Sequence, residues 1–326
     1  MNKNKIKNIA GLTLIEIMIG IIITTIMMAA MYTTYSVVNK TYTQVTSRAN
    51  ISRSGRDIIE MIMRDVRMAG FKYFLGINEK DHPTRSPLEF NTGKKYNEES
   101  KKYENILLED SHDPLIIIKD ELGYTASDAG TDDTDTDAKT KWNTEKDLCC
   151  DKIHIVYDDY DQHDDAQPYK RYKITYFALR TGDGTDGGRY GVFKTVESWK
   201  QKSNEWVVNK DGDDGTPYCD VCYHKQLIRD HVDDMEFIPF GREGKVILPP
   251  PRPDNDSFKD LYKIRSVDVR LTFRSHKEFY RSAAKEDKPR IVQGLGDRTR
   301  EYKKEDDDKF LRDSVVVTIH TRNIGS

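Results

Sequence analysis

The apolar positions of this chain fall into three regimes. From Leu12 to Met31 they are nearly continuous and carry one acid, Glu16. That run is about one bilayer span long, since roughly 20 apolar residues are needed to cross. Past the membrane length the pattern turns periodic. Ile51, Ile58, Ile59, Ile62, Met63 and Val66 recur at spacings of three, four and seven, with Arg53, Arg56, Asp57, Arg64 and Asp65 between them, which predicts an amphipathic helix. No proline interrupts Thr13 to Met68. One continuous helix is therefore predicted, its first half suited to lipid and its second to packing on a sheet. Gly70 followed by Phe71 reads as its C-cap, and Gly55 weakens its middle slightly.

Beyond Phe71 the third regime reads as β with long polar loops. Candidate strands are Pro114 to Lys119, Lys152 to Tyr157, Tyr172 to Leu179, Gly191 to Val196 and Glu205 to Val208. Met235 to Phe240, Lys263 to Arg274 and Ser314 to His320 follow. Alternation is clearest in the last two, where Val267, Val269, Leu271 and Phe273 share one face, as do Val315, Val317 and Ile319. Pro249 to Pro251 with Pro253 mark a stiff linker, and Lys303 to Lys309 a solvated hairpin loop.

Charge sets the topology. Lys3, Lys5 and Lys7 precede the apolar run with no acid, a bias that keeps the N-terminus cytoplasmic and sends the rest outward. The chain has 326 residues, a net charge of -3 and 33% charged residues, nearly all after the anchor. The head is thus expected to be well solvated around a modest core, with no overall attraction to polyanions. Four cysteines stand in two pairs, Cys149 with Cys150 and Cys219 with Cys222. Outside the cytoplasm disulfides are the default, and bridges between the two clusters are expected because bonding within the adjacent pair is strained. Four thiolates around a structural zinc are the alternative. A haem attachment is excluded, because Tyr223 stands where the motif needs histidine and His224 comes one residue late.

The N-terminal string has a more specific reading. The leader MNKNKIKNIAG ends in Gly11, and Leu12, Thr13, Leu14, Ile15 and Glu16 follow. This resembles the class III signal of type IV prepilins and type II secretion pseudopilins. An ordinary secretory signal places its cleavage site after the apolar region; here the glycine precedes it. The resemblance implies cleavage after Gly11 by prepilin peptidase and N-methylation of Leu12. It also implies that Glu16 docks on the α-amine of a neighbouring processed subunit. A carboxylate in a membrane span is costly and marks a partner, the plainer reading being an acid close enough to the helix end to reach the headgroups. Two departures stand out: the first mature residue is Leu12 where the family most often has Phe, and Thr33 stands where many major pilins have proline.

The segment from Ile59 to Phe71, with its Asp65, Arg67, Met68, Ala69 and Gly70, resembles the end of the first helix in PilW-type minor pilins. Leu227 to Phe237 is similar to the element before a central strand in PilW and GspJ-type proteins, and Asp313 to Asn323 to their C-terminal strand. The middle, roughly Glu79 to Asp220, matches no named family. The resemblance implies an α+β, type IV pilin-like fold: a leader over 1–11, a pilin helix over 12–70 with 12–32 as transmembrane or filament core, and a β-rich head over 71–326 with an antiparallel sheet and long loops. It implies a minor pilin that joins other minor pilins and the major pilin in a tip or priming complex. Such a subunit sits in the inner membrane with a periplasmic head, meets the assembly platform there, and ends in the extracellular pilus, serving motility, adhesion or DNA uptake. A GspJ-like pseudopilin of a type II secretion system, a pilus-mounted calcium-dependent adhesin and an unrelated single-pass protein are the alternatives.

Other chemistry is sparse. Asp133, Asp135 and Asp137 have the alternating spacing of a calcium loop, but Ala138 replaces the turn glycine and no Glu follows at the twelfth position. Asp211, Asp213 and Asp214 form a second candidate near Cys219. Solvated loops are the plainer reading of both, and no other cofactor is expected. No HExxH helix, glycine-rich phosphate loop or GxSxG elbow occurs, so an enzyme is not expected. Lys170, Arg171 and Lys173, beside Tyr172, Tyr176 and Phe177, could touch a DNA backbone, but a solvated strand face is the plainer reading and nucleic acid is not an expected partner.

Overall fold

Thirteen residues past the N-terminus the chain enters helix and stays there for fifteen turns. The computed structural model describes residues 13–71, 94–97, 100–105, 111–119, 150–160, 169–181, 190–200, 205–208, 219, 221–248, 250–252, 258–278, 290–293, 295, 299–302 and 310–324. Helix α1 covers Leu14–Met68, 55 residues without a break, so Thr33 introduces no interruption. The chain divides into two compact units, Met1–Asn50 and Ile51–Ser326. In the first, the helix side chains are uncovered. In the second, the predicted stripe is the core: Ile51, Ile58, Ile59, Ile62 and Val66 are buried and Met63 packs against them.

The strands are β1 (Lys94–Asn97), β2 (Lys102–Asn105), β3 (Leu115–Ile118), β4 (Lys152–Tyr160), β5 (Tyr169–Arg180), β6 (Tyr190–Lys200), β7 (Glu205–Val207), β8 (Tyr223–Phe240), β9 (Ser266–Glu278), β10 (Arg290–Gln293), β11 (Thr299–Tyr302) and β12 (Phe310–His320). A 3-10 helix, Phe258–Lys263, precedes β9. One antiparallel sheet runs β12-β9-β8-β6-β5-β4-β3 with β7 also on β6, and β1-β2 and β10-β11 pair separately. The face predicted for β9 is the packed one: Val267, Val269, Leu271 and Phe273 are all fully buried. The architecture is α+β, one helix half laid on one sheet.

Two expectations are corrected. Leu227 to Phe237 is not an element before a strand but lies within β8, which runs 18 residues. The strand predicted from Lys263 begins at Ser266, because Lys263 closes the 3-10 turn.

Gly55 is more than a weak point. A β-carbon there would lie 2.7 Å from Cε2 of Phe273, so glycine is what lets the helix approach β9. Gly55→Ala gains up to about 1 kcal/mol of helix propensity but overpacks the core, a change that costs about 1–3 kcal/mol. The net expectation is a lower midpoint in urea unfolding at unchanged slope. At the helix end Gly70 has φ +74°, the left-handed cap the sequence predicts. Its N–H donates to the Val156 carbonyl at 2.9 Å, and the Asn323 amide donates to the Arg67 carbonyl at 3.2 Å. β4 thus accepts the N–H of the cap residue, while the segment after β12 meets an open carbonyl of the last turn.

Candidate assembly interface

The first unit carries the predicted docking segment. Thr13 is the N-cap of α1. Its backbone N–H and its hydroxyl both donate to Glu16 Oε2 at 2.9 Å, and the Glu16 N–H donates to Thr13 Oγ1 at 3.4 Å. This is a reciprocal capping box, legible as T-x-x-E yet missed in the sequence reading. It fixes the Glu16 carboxylate at the start of the helix. The bonds all use Oε2, and no bond among the described residues reaches Oε1. Gly11 and Leu12, the predicted cleavage and methylation residues, lie outside the described residues.

From Leu14 onward the large apolar side chains of this unit are half to three-quarters exposed. Among the described residues α1 is the one helix long and apolar enough to cross a membrane. Its threonines suit that setting: the hydroxyls of Thr25, Thr33 and Thr34 donate to carbonyls of the preceding turn at 2.7, 2.8 and 2.9 Å. A hydroxyl satisfied within its own helix needs no water. The exposed apolar surface does not stop at one bilayer length. Met31, Tyr35, Val38, Tyr42 and Val45 continue it at alternating spacings of four and three, each 60–70% exposed. That alternation is the heptad spacing by which helices pack on helices.

The head holds its polar groups inward. Asp65, on the core side of α1, accepts from the Tyr176 hydroxyl at 2.6 Å and from Lys194 Nζ at 2.7 Å, with all three buried. Burial, then the Asp65 charge, push the Tyr176 phenol far above its ordinary range. Arg312 of β12 reaches Asp233 of β8 through Nε at 3.0 Å and Nη2 at 3.3 Å. Asp151 accepts from Lys119 Nζ at 2.6 Å and from the Phe237 N–H at 2.7 Å.

Burial outweighs the Lys119 attraction and pushes the Asp151 carboxyl up to about 6. Between about pH 4 and pH 6 the folded state therefore keeps a proton that the unfolded chain has released. Stability falls as pH rises through that window, by about 3 kcal/mol for two pKa units. Buried Asp113 and half-buried Asp234 are raised in the same direction. Melting temperatures taken across pH 4 to 7 should fall with pH, and Asp151→Asn should flatten the slope.

Other sequence candidates fare differently. The cystines do not bridge the two clusters: Cys219 pairs with Cys222, their Cα atoms 5.4 Å apart, and Cys150 is itself disulfide-bonded. Two intervening residues are enough to bring two Cα atoms within bonding range, so the link staples the entry to β8 locally. The pairing also removes the thiolates a zinc site would need. Two of the charges considered for DNA, Arg171 and Lys173, are spent within the head, so a solvated strand face does not describe them either. Arg171 lies 2.8 Å from Asp158 and Lys173 lies 2.8 Å from Glu197, both cations buried, and Tyr176 is in the core. His154 is buried and bonded to Thr175 Oγ1 at 2.8 Å. Cys149, Asp133, Asp135, Asp137, Asp211, Asp213 and Asp214 lie outside the described residues.

Residues 6–32 match the family described as the prokaryotic N-terminal methylation motif. The match spans the apolar segment and does not reach the head. No curated protein matches the chain. Among solved structures, the type IV-like pilin TTHA1219 from Thermus thermophilus is similar at a TM-score of 0.40 and 7% identity, over 85% of this chain and 100% of that one.

Proposed function

We propose that this chain is a structural subunit of a type IV pilus, a minor pilin of the PilW type that joins other minor pilins in a tip or priming complex. One observation carries the reading: the methylation motif at residues 6–32 lies on a helix whose apolar surface has no cover within its own unit. Prepilin peptidase cuts after Gly11, and the new Leu12 amine is methylated. The helix waits in the inner membrane, with the head outside the cytoplasm, until the assembly platform moves it into the fibre beside the major pilin. There the lipid-facing surface becomes helix-facing, and the seam from Met31 to Val45 extends the contact beyond the bilayer. Glu16 offers Oε1 to a neighbour's amine while Oε2 holds the cap. The role is one of assembly, not of catalysis.

The N-terminal mass of the chain from cells with and without prepilin peptidase tests this directly. A peptidase-dependent start at Leu12 is the expected result. An intact leader in both strains overturns it. The strings at Leu227 to Phe237 and Asp313 to Asn323 resemble GspJ-type pseudopilins as well as PilW, so the second reading is a secretion-system pseudopilin. Deleting the gene and scoring twitching against protein secretion separates the two.

A further inference from the structure

Between Glu16 and Lys40 the helix carries no charged residue. Those two lie about 36 Å apart along the axis at 1.5 Å per residue, whereas the hydrocarbon core of a bilayer is about 30 Å thick. Charge alone therefore leaves α1 roughly one turn of freedom to slide through the membrane. Two tyrosines stand inside that interval. Tyr32 and Tyr35 follow the apolar run directly, are 73% and 69% exposed, and are neighbours on the helix surface. Thr33 and Thr34 between them close their hydroxyls onto the Ala30 carbonyl, so the two phenols are the polar groups this turn offers outward. The heptad-spaced stripe from Met31 to Val45 uses Tyr35 but passes Tyr32 by, and helix packing does not account for the pair.

We infer that Tyr32 and Tyr35 bind the phospholipid headgroup layer at the C-terminal end of the span and set the depth of the helix. Tyrosine suits that boundary because its ring is apolar while its hydroxyl takes water or a headgroup oxygen. The two residues are about 4.5 Å apart along the axis, so both fit one headgroup layer of roughly 5–7 Å. Tyr42 is 70% exposed but comes about 15 Å after Tyr32, beyond that layer. The depth has a consequence at the other end of the span. With the pair at its boundary, Glu16 lies about 24–28 Å further in, just short of the opposite edge of the core. Its carboxylate, with Oε2 held by Thr13, is kept inside hydrocarbon instead of sliding out among the headgroups. The inference rests on the membrane reading of α1 proposed above.

The test places the full chain in vesicles of phosphatidylethanolamine and phosphatidylglycerol whose acyl chains are brominated either near the glycerol or near the far end. Ile22→Trp, Tyr32→Trp, Tyr35→Trp and Tyr42→Trp are compared singly, with the emission of the native chain subtracted. The added emission at positions 32 and 35 should be quenched at least threefold more by the shallow bromines. That at 22 should be quenched more by the deep ones, and that at 42 by neither. Adding Tyr32→Ala and Tyr35→Ala to Ile22→Trp should lower its deep-to-shallow ratio at least twofold, as the helix slides toward its N-terminal boundary. An unmoved ratio, or equal quenching at 42 and 32, in a chain that resists carbonate extraction overturns the anchor and leaves the membrane reading standing. Chains that carbonate washes off the vesicles overturn both.

Discussion

Replacing Asp65 by alanine should destabilise the head by about 3–5 kcal/mol, the usual cost of removing one partner from a buried ion pair. The loss is that large because Lys194 stays behind, 4% exposed, with its ammonium and the Tyr176 hydroxyl both deprived of their acceptor. Most of the penalty belongs to the stranded charge rather than to the bond. Lys194→Met should therefore cost less than Asp65→Ala, and the double variant Asp65→Leu with Lys194→Met should recover much of the deficit. Urea titrations of the four proteins rank them. If the double variant is no more stable than Asp65→Ala, the trio has another role than mutual satisfaction.

On the pilin reading proposed above, Glu16 supplies the second large effect, on assembly rather than on folding. Glu16→Ala should leave the leader cut and the chain in the membrane while its recovery in the sheared filament fraction falls at least about tenfold, some 1.4 kcal/mol of docking. Glu16→Gln tells the two roles of this residue apart. An amide oxygen can still accept from Thr13 and keep the capping box, but it carries no charge for a neighbour's amine. If Gln behaves like Ala, charge decides docking. If Gln behaves like the native residue, the cap does, and Thr13→Ala should then fail as well.

The sequence made the helix legible because its signals are local and repeated: an apolar run, then a stripe, then glycine in a left-handed cap. β9 was equally plain, since its inward and outward positions alternate between apolar and polar. The first half of β8 was not. Tyr223 to Asp230 carries Lys225, Arg229 and Asp230 at a sheet surface, and His231 takes φ +60° where the pairing slips. Polar residues at an irregularity look like loop. The cystine pairing was misjudged because sequence spacing alone says nothing of which loops meet. The lysine and arginine of β5 were misread because their partners, Asp158 and Glu197, sit on neighbouring strands. Asp65 stood in a recurring string, yet its duty depends on two residues more than a hundred positions away.

The junction around Gly70 also sets a timetable. Its cap is completed by Pro114, Asn323 and Ile324, and the helix residues beneath it pack on strands that include the last one made. Contacts so distant along the chain form slowly, because a long loop must close before they give anything back. The apolar stripe from Ile51 to Val66 therefore stays without its full cover until residue 324 has been synthesised. For that interval the stripe is open to other company, and nascent chains stalled short of β12 should be the first material that proteases clear.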